Sequence, residues 1–190
     1  MVHARAYPSA KIDYAGTVLL APGKGCENMT LALSRRTLLL AGTAALIARP
    51  AKAEATTHEV QMLNKDPDDA KQRMVFKPSF LVVKPGDTVK FLSADKGHNS
   101  EVIDDMLPEG AEGWKGRIND DVEVTLEAPG FYGYKCTPHV GTGMVGLIVV
   151  EGDGMMDNLE AAQKAKHRGQ AKKRFQALWE QAEEAGVVAA

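Results

Sequence analysis

Gly130-Phe131-Tyr132-Gly133-Tyr134-Lys135-Cys136-Thr137-Pro138-His139-Val140-Gly141-Thr142-Gly143-Met144-Val145-Gly146-Leu147-Ile148-Val149-Val150 contains two apolar runs, Gly130 to Lys135 and Val145 to Val150, around one loop. The runs are short, rich in aromatic and β-branched residues and flanked by turn formers, so they read as strands. The loop between them carries a thiol, an imidazole and a thioether at Cys136, His139 and Met144, all within nine residues. Pro138, Gly141 and Gly143 suit a chain that turns tightly and exposes little side chain, which lets three donors converge from one short segment. A second imidazole must come from elsewhere. His98 offers it, in Asp95-Lys96-Gly97-His98-Asn99, just after the strand-like run Thr88 to Leu92.

Two imidazoles, one thiolate and one thioether form the donor set of a mononuclear copper site built for electron transfer. A trigonal thiolate and two imidazoles with a weak axial thioether suit both Cu(I) and Cu(II), so little rearranges when an electron arrives or leaves. The set leaves no position for a substrate. Taken singly, His98 reads as a buried, hydrogen-bonded histidine and Met144 as core filler. A Cys and a His separated by two residues could also begin a zinc site, but zinc prefers a closed tetrahedral set and seldom recruits a thioether. His58 and His167 have no donor-type neighbours in sequence and read as surface residues.

Outward from the loop, short runs recur with Gly, Pro, Asn and Asp between them: His58 to Leu63, Phe80 to Val83, Thr88 to Leu92, His98 to Ile103 and Val122 to Leu126. Their length and spacing predict a mainly β fold of two packed antiparallel sheets. After Gly154 the composition turns to Ala, Glu, Lys, Gln and Leu. Asp157 and Glu160 make a capping box for one helix, and Gly169 separates it from a second over 170–185. Phe175, Leu178 and Trp179 lie at helical spacing and are expected to pack on the sandwich rather than face a membrane or partner.

From Glu54 onward the chain has 16 Lys and Arg against 23 Asp and Glu, so its formal charge is 16 − 23 = −7. An acidic body excludes nucleic acid as partner, which would demand a concentrated basic field. Lys96 and Lys135 nevertheless stand close to the donors in sequence, and a basic face there would steer an acidic partner. Five histidines in all cannot furnish the trinuclear cluster of a multicopper oxidase. A copper chaperone would favour an exposed, Met-rich or paired-Cys site instead of a Cys-His-Met loop. The expectation is a carrier, not an enzyme.

An upstream Gly97-His98-Asn99, then Tyr134-Lys135-Cys136-Thr137-Pro138-His139 and Gly143-Met144-Val145-Gly146, resembles a cupredoxin of the pseudoazurin type. The resemblance runs from His58-Glu59-Val60 through Val83-Lys84-Pro85-Gly86-Asp87-Thr88-Val89, Pro108-Glu109-Gly110-Ala111 and Ala128-Pro129-Gly130 to the helical tail. Plastocyanins have a similar loop but end at their last strand, whereas this chain continues. The resemblance implies a Greek-key sandwich of about eight strands over 54–152 with a helical extension over 153–190. It implies one copper per chain held by His98, Cys136, His139 and Met144, with Asn99 and Thr137 supporting the ligand loop. Lys65 and Lys115 join Lys96 and Lys135 around the copper face, and Met74 and Pro138 belong to a dry patch there that raises the potential. The implied partners are redox proteins, a copper nitrite reductase as acceptor in denitrification and a cytochrome c as donor. Nitrous oxide reductase, a cytochrome peroxidase or an amine dehydrogenase would use the same face. The protein is expected to be a monomer without a membrane anchor.

Ser34-Arg35-Arg36-Thr37-Leu38-Leu39-Leu40 opens an apolar stretch to Ile47, followed by Ala51-Lys52-Ala53. A charged start, a short apolar core and a small-residue cleavage site make an export signal over 29–53, too short to span a bilayer. Cleavage is expected after Ala53, into the periplasm. The paired arginines resemble a twin-arginine signal, though ordinary secretory signals also carry arginines there. Residues 1–28, with His3, match no part of the family, and translation is expected to start at Met29. Cys26 would then be absent, leaving Cys136 as a lone cysteine in an oxidising compartment, where a metal keeps it occupied.

Overall fold

The computed structural model describes residues 54–189, so the expected leader over 1–53 lies outside the described residues. Eight strands build two sheets: β1 (Thr57–Lys65), β2 (Arg73–Lys77), β3 (Phe80–Val83), β4 (Asp87–Leu92), β5 (Glu101–Val102), β6 (Val122–Leu126), β7 (Gly130–Lys135) and β8 (Val145–Val150). One sheet has the order β2-β1-β4-β6 and the other β3-β8-β7-β5. Helices α1 (Leu159–Lys164) and α2 (Gly169–Glu184) follow.

Neither sheet is purely antiparallel. β1 runs parallel to β4, from Thr57 opposite Thr88 to Gln61 opposite Leu92, and β3 runs parallel to β8. The parallel β1–β4 pair carries the end of β1 towards the loop that follows β4, which proves decisive for the site. Asp87 secures the other end of this pair by accepting hydrogen bonds from the Thr56 and Lys84 backbone N–H groups and lying 3.1 Å from His58 Nε2. His58 is therefore a half-buried partner of Asp87 and not a free surface residue.

Burial explains the two hydrophobic patterns. β4 alternates buried and half-buried residues, the signature of a strand with one covered face. All six residues of β8 are buried, because the opposite sheet covers one face and the helical extension the other. Val60, Met62, Phe76, Phe91, Tyr132 and Tyr134 fill the space between the sheets. Phe131, Leu147 and Val149 meet Phe175, Leu178 and Ala182 of α2, with Trp179 against Phe131 at 5.5 Å between ring centroids. The stripe Phe175, Leu178, Trp179 thus packs on the sandwich.

Several local expectations are corrected. β2 was not legible, since Met74, Val75 and Phe76 are only three apolar residues between Arg73 and Lys77. The expected strand His98 to Ile103 shrinks to Glu101–Val102, because the His98 and Ser100 carbonyls accept from Asn119 and Gly116 in an irregular loop. α1 begins at Leu159 without the Asp157–Glu160 capping box; its N-cap, Asn158, makes no side-chain cap. The Asn158 amide is committed across the molecule, accepting from Phe131 N–H at 3.0 Å and donating to Phe131 O at 2.8 Å. That exchange ties the helical extension to β7. His167 is also no surface residue: its ring stacks on Phe175 at 4.0 Å.

Candidate metal centre

Strand β7 delivers Cys136 at its end, and residues Thr137–Thr142 form a 3-10 turn before β8. Backbone bonds close the loop on itself. Cys136 N–H donates to Met144 O, His139 N–H to Cys136 O and Met144 N–H to His139 O, at 3.0 to 3.2 Å. Gly143 ends the turn at φ 93°, a left-handed conformation that favours glycine, and a Cβ there would lie 3.2 Å from Gln170 of α2. The helix thus backs the ligand loop at a point where the left-handed backbone favours glycine and a side chain would be tightly packed.

His98 arrives from the loop after β4. Its Nδ1 lies 3.1 Å from His139 Nδ1 and 3.7 Å from Cys136 Sγ, and His139 Nδ1 is 3.5 Å from that sulfur. For bonds of about 2.0 Å to nitrogen and 2.3 Å to sulfur, a trigonal plane needs roughly 3.5 Å between nitrogens and 3.7 Å between nitrogen and sulfur. The three donors match that plane to within about 0.4 Å, so the residues fit a trigonally held ion. His98, Cys136 and Met144 are fully buried, while His139 is half-buried and presents the one edge near solvent.

Burial, and secondarily the neighbouring His139 ring, lowers the pKa of His98. Burial raises that of the Cys136 thiol, against hydrogen bonds from the Asn99 and His139 backbone. The metal-free pocket therefore favours neutral donors, and metal binding must displace the thiol proton.

Asn64 supplies a contact that sequence reading missed. Its Oδ1 lies 3.1 Å from His98 Nε2, and because a carboxamide oxygen only accepts, Nε2 carries the proton and Nδ1 is left free for a metal. Asn64 N–H in turn donates to Asp95 Oδ2 at 2.7 Å. No local signal marks Asn64; only the parallel β1–β4 pairing brings it to the site.

Asn99 and Thr137 join the two ligand loops. Thr137 N–H donates to Asn99 Oδ1 at 2.8 Å, and Asn99 Nδ2 donates to Thr137 Oγ1 and to Gly116 O. Asn99→Ala would leave the half-buried Gly116 carbonyl and the more exposed Thr137 N–H without these partners, at about 1 kcal/mol, the low end for unpaired groups because water can reach Thr137. The expected result is a denaturation midpoint shifted by that amount and faster loss of metal to a chelator; wild-type values in both would refute the coupling.

Thr137 continues the network outward, its hydroxyl donating to Glu101 Oε2 at 2.6 Å. Glu101 Oε1 lies 3.2 Å from Lys115 Nζ and 3.8 Å from Lys135 Nζ. Burial alone would raise the pKa of Glu101, but Thr137 and the two lysines outweigh it and hold the carboxyl below the ordinary range. Two of the four expected docking lysines are thus partly neutralised. Lys96 and Lys65 are exposed, and Lys65 follows Asn64 at the end of β1. Met74, at φ 52°, sits between Arg73 and Val75, which pair with Lys65 and Leu63, so it lies across the ladder from Asn64. Pro138 is exposed and shares a shallow hollow with Ile118, which is 52% exposed; sequence reading missed Ile118.

Residues 61–151 match the family model of copper binding proteins of the plastocyanin/azurin family. The chain is 49% identical over 139 residues to a pseudoazurin of Paracoccus pantotrophus, covering 73% of this chain and 92% of that one. The crystal structure of pseudoazurin from Methylobacterium extorquens superposes with a TM-score of 0.61 at 44% identity, over 66% of this chain and 98% of that one. A pseudoazurin structure from Hyphomicrobium denitrificans gives 0.59 at 41% identity, over 64% and 94%. Likeness of this depth along almost the full length of such proteins makes the chain a member of the pseudoazurins, within the plastocyanin/azurin family of copper binding proteins.

Proposed function

We propose that the protein is a periplasmic one-electron carrier in which His98, Cys136 and His139 would hold copper and Met144 would add a thioether as fourth donor. The observation that carries this reading is the convergence of three donors of the required types at separations that fit a trigonal ion. Bound copper supplies the one-electron step between Cu(I) and Cu(II). The protein's residues do the rest. Backbone bonds across Cys136–Met144, the Asn64 contact to His98 and the Asn99–Thr137 bridge fix the donors in place, so the site resists the rearrangement that would slow transfer.

His139 is the half-buried ligand, and its edge is the route by which an electron enters from a donor and leaves to an acceptor. Pro138 and Ile118 offer a small apolar contact, with Lys115 and Arg117 lining the same hollow, and Lys65, Lys96 and Lys135 add positive charge to the docking face in this reading. A small contact with charge steering suits complexes that form fast and release quickly. No helix among the described residues is long and apolar enough to cross a membrane. The reading includes export through the signal over 29–53 and cleavage after Ala53, with a copper nitrite reductase as acceptor and a cytochrome c as donor.

The acceptor is tested by mixing the reduced protein with a copper nitrite reductase and nitrite, with no other electron source. Nitrite consumed in step with oxidation of the protein is the expected result. Failure to oxidise it, with the protein still reducible by ascorbate, would remove this acceptor and leave the carrier.

A further inference from the structure

Helix α2 carries its charges against its own dipole. Lys172 lies in its first turn, followed by Lys173 and Arg174, while Glu180, Glu183 and Glu184 crowd its last turns. Helix stability favours the reverse, acids at the N-terminus and bases at the C-terminus. The basic run extends back through the connector: residues 164–174 hold Lys164, Lys166, Arg168, Lys172, Lys173 and Arg174 and no acid. The other residues from Glu54 onward have 16 − 6 = 10 basic side chains against 23 acidic ones. A compact basic segment on a strongly acidic body sets up a directed field.

Most of these charges lack an acidic partner, although Arg174 is half-buried and donates to Gln72 Oε1. Lys164 pairs with Glu160, but among the described residues no carboxylate lies within 4.0 Å of Lys166, Arg168, Lys172, Lys173 or Arg174. Lys115 and Lys135, by contrast, share Glu101. The segment adjoins the ligand loop directly. A Cβ on Gly169 would lie 3.4 Å from Gly141 O, and Thr142, Gly143, Gln170, Lys173 and Arg174 line one groove.

We propose that the connector and first turns of α2 are the principal steering surface for an acidic protein partner that docks over His139. The proposal rests on the carrier reading above and moves the dominant charge from the loop lysines to the helical extension. A protein surface fits better than an anionic membrane. The apolar residues of α2, Phe175, Leu178 and Ala182, are spent on the core and leave nothing to insert among lipids.

The test uses the copper-loaded protein with the acceptor proposed above, a copper nitrite reductase, as the probe, and follows the electron-transfer rate from about 0.01 M to 1 M salt, where the screening length falls from about 30 Å to 3 Å. Lys172→Glu/Lys173→Glu is compared with Lys96→Glu/Lys115→Glu. The helix pair is expected to lower the low-salt rate constant by about tenfold or more, with the difference vanishing at high salt. It should keep the visible spectrum and hold or raise the melting temperature, since the new acids suit the helix N-terminus. A larger loss from the loop pair would overturn this assignment and leave the carrier intact. Rates insensitive to salt and to both pairs would overturn the steering altogether.

Discussion

Cys136→Ser is expected to abolish the intense visible absorption of the Cu(II) protein, with loss of at least about nine-tenths of the band, because the thiolate is its source. Cys136 is the sole cysteine among the described residues and is fully buried, so no second sulfur can take its place. The substituted hydroxyl is a hard, weakly acidic donor with little affinity for Cu(I). The fold should survive, because the side chains are nearly isosteric and the Cys136 backbone bonds to Met144 and His139 do not involve sulfur. An absorption spectrum at one equivalent of Cu(II), beside a melting curve, checks both points. A variant that stays coloured would refute the ligand assignment.

The second large effect is on potential. Met144→Gln should leave copper bound and the visible band present but lower the reduction potential by more than about 59 mV, a tenfold shift between Cu(II) and Cu(I) for one electron. The cause is the exchange of a soft thioether for a harder amide oxygen, which stabilises Cu(II). Glutamine is close to methionine in length, and the backbone at 144 stays pinned by its bonds to Cys136 and His139. Cyclic voltammetry of both proteins reads the difference directly. An unchanged potential would mean that Met144 is not the axial group.

What could be read from the sequence was local. Cys136, His139 and Met144 declare themselves because residue types and spacing coincide within one loop, and β6 and β8 were bounded to the residue because apolar runs meet turn formers at both ends. Parts of the site that depend on distant pairing were hidden. Asn64 reaches His98 only through the parallel register of β1 and β4, 34 residues away in sequence. Glu101 looked like an ordinary strand residue, yet it accepts from Thr137 and draws in Lys115 and Lys135, so the loop lysines are weaker than their number suggests. Asn158 looked unremarkable beside the Asp157–Glu160 pattern, because a side chain that satisfies a backbone 27 residues away leaves no periodic trace. Local chemistry was legible; the contacts that orient it were tertiary.

The same distinction separates the two basic surfaces. Lys96 and Lys135 stand near the donors in sequence, whereas the basic run 164–174 is remote in sequence and reaches the loop only because α2 packs behind Gly143. Carboxylate partners widen the difference between the two surfaces, because Lys115 and Lys135 share Glu101 whereas the run 164–174 gives up only Lys164, to Glu160.

The most direct test of the carrier is a visible and electron paramagnetic resonance spectrum of residues 54–190 with one equivalent of Cu(II), repeated after ascorbate and again after reoxidation. An intense thiolate-to-copper band that bleaches and returns, with one copper per chain, is the expected result. A colourless protein with an ordinary Cu(II) signal would contradict it and reopen zinc binding and copper storage as functions.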